Sequence, residues 1–135
     1  MLAKTSPAPV RLTSGKADSA PTLAVDGGGA DHLVFRRSAQ PAGLYAMTDR
    51  TGRWATAAQV PGTGTADVSP ALVVAGGTAY LGFARAGSTG GVYLSTRAGT
   101  DAWSQPARRS DSTHDALPML AVDGGGHVLA VFDRG

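Results

Sequence analysis

Apolar residues in this chain gather in short runs separated by glycine, proline, aspartate and serine, and no stretch carries them at helical spacing between caps. The runs predict strands at 22–25, 32–36, 43–47 and 54–60, then at 71–74, 79–84, 91–95 and 103–108. Two more are expected at 119–122 and 127–133, and one outer strand at 9–13. The expected fold class is all-β.

The same landmarks return every 48 or 49 residues: Pro21, Pro70 and Pro118; Phe35, Phe83 and Phe132; Tyr45 and Tyr93; Trp54 and Trp103. Asp18, Asp67 and Asp115 each stand three residues before their proline, so D-x-x-P occurs three times. Four short antiparallel strands in about 40 to 50 residues is the signature of a β-propeller blade. A β-sandwich is also built of short strands, but it gives no reason for Phe, Tyr, Trp and D-x-x-P to keep one period. The implied division is an outer strand of a preceding blade in 1–20, one blade in 21–69, a second in 70–117, and the first two strands of a following blade in 118–135. Two complete blades plus partial ones do not close a ring, since closed propellers have about four to eight. Either the chain is a piece of a longer protein, or copies assemble as a homo-oligomer, for instance two chains in a six-bladed ring. The first is favoured, because each seam of such a ring would lack a third strand and leave ladder groups unpaired.

The heptapeptide LAVDGGG occurs at 23–29 and 120–126, and a decayed copy, LVVAGGT, at 72–78. Glycines that cradle a phosphate open a helix. Here the residues that follow, DHLVF and HVLAVF, read as strand. The glycines are therefore expected to turn a hairpin, with Asp-Gly supplying the positions of positive φ.

Composition narrows the chemistry. The chain has no Cys, which excludes disulfides and thiolate catalysis, and it contains no Glu, Asn or Ile. A net charge of +2 without a basic run argues against nucleic acid as a partner. No apolar run has membrane-spanning length, so no membrane insertion is expected. Residues 1–10 hold Lys4 and two prolines without an apolar centre and do not read as a signal peptide; a leader on a longer parent would make the protein extracellular. His32, His114 and His127 fall at different places in the repeat without ligand spacing, and the D-x-x-P and DGGG segments lack the twelve-residue calcium-loop pattern. No metal and no cofactor is expected.

The third strand of each unit and its turn read GLYAMTDRTGRW and GVYLSTRAGTDAW. They resemble the Asp-box, the S-x-D-x-G-x-x-W hairpin of sialidase-type propellers. Thr48, Asp49, Gly52 and Trp54 match in the first copy, with the Asp displaced from the motif's spacing; Ser95, Gly99 and Trp103 match in the second, where Arg97 stands in place of the Asp. The P-x-L-A-V-D opening and the L-Y-x-x-T third strand are also similar to repeats of the broader sialidase-like (BNR) family. The likeness spans nearly the whole chain and implies a fold more than an activity. In that family the Asp-box is structural and lies on the face opposite the active site.

One repeated feature could carry chemistry. Each unit ends its second strand in F-x-R, which in a propeller sets Arg37, Arg85 and Arg134 on the same face as Asp18, Asp67 and Asp115. Guanidinium groups from adjacent blades could form a ring that grips a carboxylate bidentately, as the resemblance to the sialidase arginine triad implies. Alternatively each Asp–Arg pair holds loop to loop within its own repeat, the reading favoured for a feature present in every unit. Retaining sialidases use a Tyr nucleophile, supported in that family by a Glu. This chain has no Glu, and Tyr45, Tyr80 and Tyr93 sit in strand patterns where packing is the ordinary role. Most of the Asp residues fall in turns, where backbone reasons favour them, and Asp133, beside Arg134, is expected to form a salt bridge. No catalytic residue is assigned. The function expected is a non-catalytic ligand-binding or scaffold segment with a glycan or protein ligand. The alternative is a truncated piece of an exo-sialidase-like glycoside hydrolase whose catalytic residues lie mostly outside this chain.

Overall fold

A computed structural model of the protein describes residues 8–14 and 17–135, and no helix occurs among them. Ten strands form: β1 (Asp18–Val25), β2 (Asp31–Arg37), β3 (Gly43–Asp49), β4 (Ala58–Gln59), β5 (Asp67–Ala75), β6 (Thr78–Arg85), β7 (Gly91–Ala98), β8 (Ala107–Arg108), β9 (Ala116–Val122) and β10 (Val128–Asp133). They make two four-stranded antiparallel sheets, β1-β2-β3-β4 and β5-β6-β7-β8, and a two-stranded sheet of β9 and β10. The all-β expectation holds, and the four-strand unit is present twice.

The strand limits differ from the sequence reading in three places, each for a backbone reason. D-x-x-P is not a loop ahead of the first strand. In the first two units it lies within the strand, and the register slips between Ser19 and Thr22 and between Val68 and Ala71. A bulge tolerates proline, which has no N–H to give the ladder. The residue before each proline takes positive φ: 49° at Ala20, 53° at Ser69 and 49° at Leu117. The outer strands β4 and β8 shrink to two residues each. The N–H groups of Ala55 and Val60 donate to Thr48 and Leu44, so this segment has one residue more than the stretch of β3 it follows, and the ladder breaks. Ser104 and Arg109 repeat the mismatch on Thr96 and Val92. Finally, no strand forms at 9–13. No strand precedes it among the described residues to pair with, and Pro9 lacks an N–H. The remainder of that expected outer strand's segment, 1–7 and 15–16, lies outside the described residues.

Both LAVDGGG copies turn hairpins. Only the last glycine of each has positive φ, 81° at Gly29 and 81° at Gly126. Gly29 donates to the Asp26 carbonyl and Gly126 to that of Asp123, so each is a β-turn closed by a left-handed glycine. The tighter turn with positive φ at both positions is found instead in the decayed copy, 56° at Gly76 and 77° at Gly77. In the longer turns Asp26 Oδ1 accepts the N–H groups of Gly28 and Ala30 at 2.9 Å each. Asp123 Oδ1 accepts those of Gly125 and His127 at 2.8 and 2.9 Å. The donors that a phosphate would use are filled by the chain's own carboxylate.

The sheets stack front to back. Register and alternation put Leu33, Phe35, Tyr45 and Met47 on the front of the first sheet and Ala24, Val34, Leu44 and Ala46 on its back. That back meets the front of the second sheet, Leu72, Ala79, Leu81, Phe83 and Tyr93, in the main core. The back of the second sheet meets the front of the third, where Leu120 lies 3.4 Å from the place a Cβ on Gly82 would take. The first strands of the three sheets lie side by side, β1 against β5 and β5 against β9. A smaller cluster of Phe35, Tyr45 and Met47 sits on the front of the first sheet with Leu33, Trp54 and Ala57. Leu23 on that front, and Met119, Leu129 and Val131 on the back of the third sheet, are more than half exposed.

Candidate functional site

Strand register brings the candidate residues together. Asp18 stands opposite Arg37 across β1 and β2, and Asp67 opposite Arg85 across β5 and β6. Arg37 donates through Nε and Nη2 to Asp18 at 2.7 and 2.9 Å. Arg85 does the same to Asp67, at 2.7 and 2.9 Å. These are charge-assisted forks, the geometry that guanidinium and carboxylate share. Each guanidinium also lies over a tyrosine, 4.2 Å from the Tyr45 ring and 4.4 Å from the Tyr93 ring. Those tyrosines stand opposite Phe35 and Phe83 on the neighbouring strand. Their hydroxyls donate to the carbonyls of Pro41 and Thr89 at 2.6 and 2.7 Å. The hydrogen bond that each arginine donates to Asp18 or Asp67 raises the arginine pKa above its ordinary value, against the opposing effect of burial.

Asp67 also organises the backbone. Its Oδ2 accepts the Gly64 N–H at 2.8 Å, and its own N–H donates to the Gly64 carbonyl at 3.1 Å. Arg85 Nη2 reaches the Gly62 carbonyl at 2.8 Å. One carboxylate, 1% exposed, thus ties the link from the first sheet to the first hairpin of the second. Asp115 repeats the backbone half of this with Ser112, at 3.2 Å through Oδ2 and 3.4 Å through its N–H.

The third unit departs from the pattern. Arg134 Nε is 3.4 Å from Asp115 Oδ1, a buried oxygen that has no hydrogen-bond partner. Arg134 Nη2 turns instead to Asp111 Oδ1 at 2.7 Å, and the arginine side chain is 61% exposed. Among the described residues no tyrosine lies against the Arg134 guanidinium. Among the described residues Asp133 does not form the expected salt bridge: its backbone pairs with Ala116, and Arg134 points to Asp111 and Asp115.

The two Trp-bearing turns are built with opposite polarity. In the first, Asp49 Oδ1 accepts the Thr51 N–H at 3.1 Å, Gly52 has φ 82°, and Trp54 bridges back to Asp49. In the second, Arg97 occupies the place of Asp49 and donates to the carbonyls of Asp101 and Thr100 at 2.6 and 3.3 Å. A carboxylate gathers turn N–H groups; a guanidinium gathers turn carbonyls.

The histidines serve turns. His32 Nε2 lies 3.1 Å from Asp26 Oδ2, and His127 Nδ1 lies 2.9 Å from Asp123 Oδ2. Asp26 is held below its ordinary pKa by the His32 hydrogen bond first and the Ala30 N–H second. Asp123 is lowered by the His127 N–H first and the His127 ring second. His114 contacts Ser112 through its N–H. Among the described residues no three ligand-type side chains gather to hold a metal, and no helix is long and apolar enough to cross a membrane.

Sequence reasoning identified the Asp–Arg pairs but missed Tyr45 and Tyr93 as platforms and Asp111 as the partner of Arg134. The tyrosines were detectable, since they keep the same period as F-x-R; Asp111 has no counterpart in the other units. Compared with known proteins, the chain matches no family model, no curated protein and no solved structure.

Proposed function

We propose that the chain is a run of β-propeller blades of the sialidase-like kind, acting as a non-catalytic binding or scaffold segment for a glycan or protein ligand. The observation that carries this reading is the stacking. The front of one sheet lies on the back of the one before it, twice, with the first strands side by side as at a hub. In this reading the Asp–Arg–Tyr nodes are scaffold, because the forks and the tyrosine platforms are satisfied inside each unit. Tyr45 and Tyr93 give their hydroxyl protons to backbone carbonyls and are not set up as nucleophiles.

The front of the first sheet, exposed at Leu23 although Phe35, Tyr45 and Met47 are buried on it, and the exposed back of the third sheet are then a front and a back that match by the chain's own packing. Light scattering behind a sizing column tests this on the wild type, on Leu33→Asp at the front and on Val131→Asp at the back. The wild type is expected to self-associate and each variant alone to be monomeric. An equimolar mixture of the variants is expected to form one-to-one dimers, through one intact front and one intact back. A compact wild-type monomer that unfolds cooperatively overturns the reading.

A further inference from the structure

We infer that the cleft at the outer rim between the first and second sheets binds an anionic sugar, one bearing a sulfate or a carboxylate. This names a site for the binding half of the proposed function and does not depend on ring closure. Two hollows of about 390 and 240 Å³ share Ala46, Ala58 and Arg97, and so form one cleft. Its walls include Arg50, Arg53, Arg97, Trp54 and Trp103, with Asp101 as the one carboxylate among them.

The wall has donors in excess of acceptors. Arg97 is fixed by its bonds to the Asp101 and Thr100 carbonyls, which leave its Nη1 uncommitted. Arg50 has only long contacts, 3.4 Å to the Gly99 carbonyl and 4.0 Å to Asp26. Arg53 makes no hydrogen bond or ion pair among the described residues. Trp103 contributes ring surface to the wall, while its Nε1 is closed off from solvent. Guanidinium groups held on turns match the planar geometry of an oxyanion. The tryptophans add flat apolar area with a polar edge, which suits the ring that carries the oxyanion. The polarity reversal at Arg97 supplies one of the cations, so the feature that departs from the first unit's turn also builds the cleft.

Tryptophan fluorescence reads binding directly, because both tryptophans line the cleft. The probes are a sulfated disaccharide, a uronic-acid disaccharide, their neutral counterpart and inorganic sulfate. A charged disaccharide is expected to saturate at least about tenfold more tightly than the neutral sugar or sulfate alone. It is expected to weaken about tenfold in Arg53→Ala, whose fold is checked by circular dichroism, and to weaken further with added salt. Equal affinity for the neutral sugar, equal affinity for inorganic sulfate, no effect of Arg53→Ala, or no binding by either charged sugar each overturns the inference. Self-association is read separately. A chain that associates but binds no charged sugar refutes the cleft alone, and a monomer that binds refutes the blade reading alone.

Discussion

Arg85→Ala isolates what the Asp–Arg–Tyr node contributes to stability. The substitution removes two charge-assisted hydrogen bonds to Asp67, one to the Gly62 carbonyl, and the stacking on Tyr93. It leaves a carboxylate that is 1% exposed with only the Gly64 N–H for company. Breaking a buried pair from one side costs about 3–5 kcal/mol, because the surviving charge is stranded. Arg85 itself is 21% exposed, so water recovers part of this, and a loss of about 3 kcal/mol is expected. For a chain of this size that lowers the melting temperature by about 10 °C. Arg134→Ala is the internal control. That side chain is 61% exposed and bonded to Asp111, itself 81% exposed, and its contact with the buried Asp115 is a long 3.4 Å, so a loss smaller than that of Arg85→Ala is expected. Urea unfolding followed by tryptophan fluorescence measures both. The double variant Arg85→Ala with Asp67→Ala should lose less than the sum of the singles, by about 1–3 kcal/mol. If Arg85→Ala costs no more than Arg134→Ala, the node is not a structural fastening and the reasoning fails.

Gly91→Ala should cost more than about 2 kcal/mol in the same assay, since φ is 126° and a Cβ would fall 2.8 Å from Arg108 Nε and Ser110 Oγ and 3.1 Å from the Ser112 carbonyl. Gly27→Ala, with nothing within 4 Å, should change stability by less than about 0.5 kcal/mol. Leu117 is 60% exposed at φ 49°, so Leu117→Gly should be neutral or stabilising while Leu117→Val loses about 1 kcal/mol or more in thermal melts. Asp26 has its pKa lowered by folding, so its contribution is full above the unfolded carboxylate pKa and is lost as pH falls through the lower folded value. Asp26→Ala should therefore flatten the acid side of the stability profile below the ordinary carboxylate range, and an unchanged acid side counts against the His32–Asp26 contact.

Strand positions and the repeat were readable because burial imposes them. Phe35 and Phe83, or Leu33 and Leu81, must reach the same side of each sheet, and a period-2 pattern records that directly. The hairpin at LAVDGGG also followed from its residue types and the strand-like residues after it, although the turn type did not. Asp26 and Asp123 use their side chains to satisfy the N–H groups that a tighter turn would not expose. Other features leave no local trace. Before the prolines, positive φ falls on Ala20, Ser69 and Leu117, residues with no preference for that region, because the register slip at the bulge decides the conformation. The short outer strands result from one surplus residue opposite β3 and β7, which composition does not reveal. Arg97 was visible as a change from Asp49 at the same place in the first unit, but its bonds to the turn carbonyls were not.

Geometry also weighs the two uses of the repeated arginines against each other. A ligand carboxylate gripped by Arg85 would have to displace Asp67, which is held from the other side by the Gly64 N–H and is buried. Two carboxylates sharing one guanidinium at such a place repel each other where water screens little. Arg37, 10% exposed and forked to a carboxylate that is itself 10% exposed, faces the same obstacle. Arg134 is the exception, since its exposed partner Asp111 can be exchanged at little cost and no tyrosine fixes its plane. Two of the three repeated arginines are thus already forked to a largely buried carboxylate, which weighs toward the fastening use. Among the described residues two forks are closed, and in the third unit Arg134 bonds Asp111 and stands 3.4 Å from Asp115.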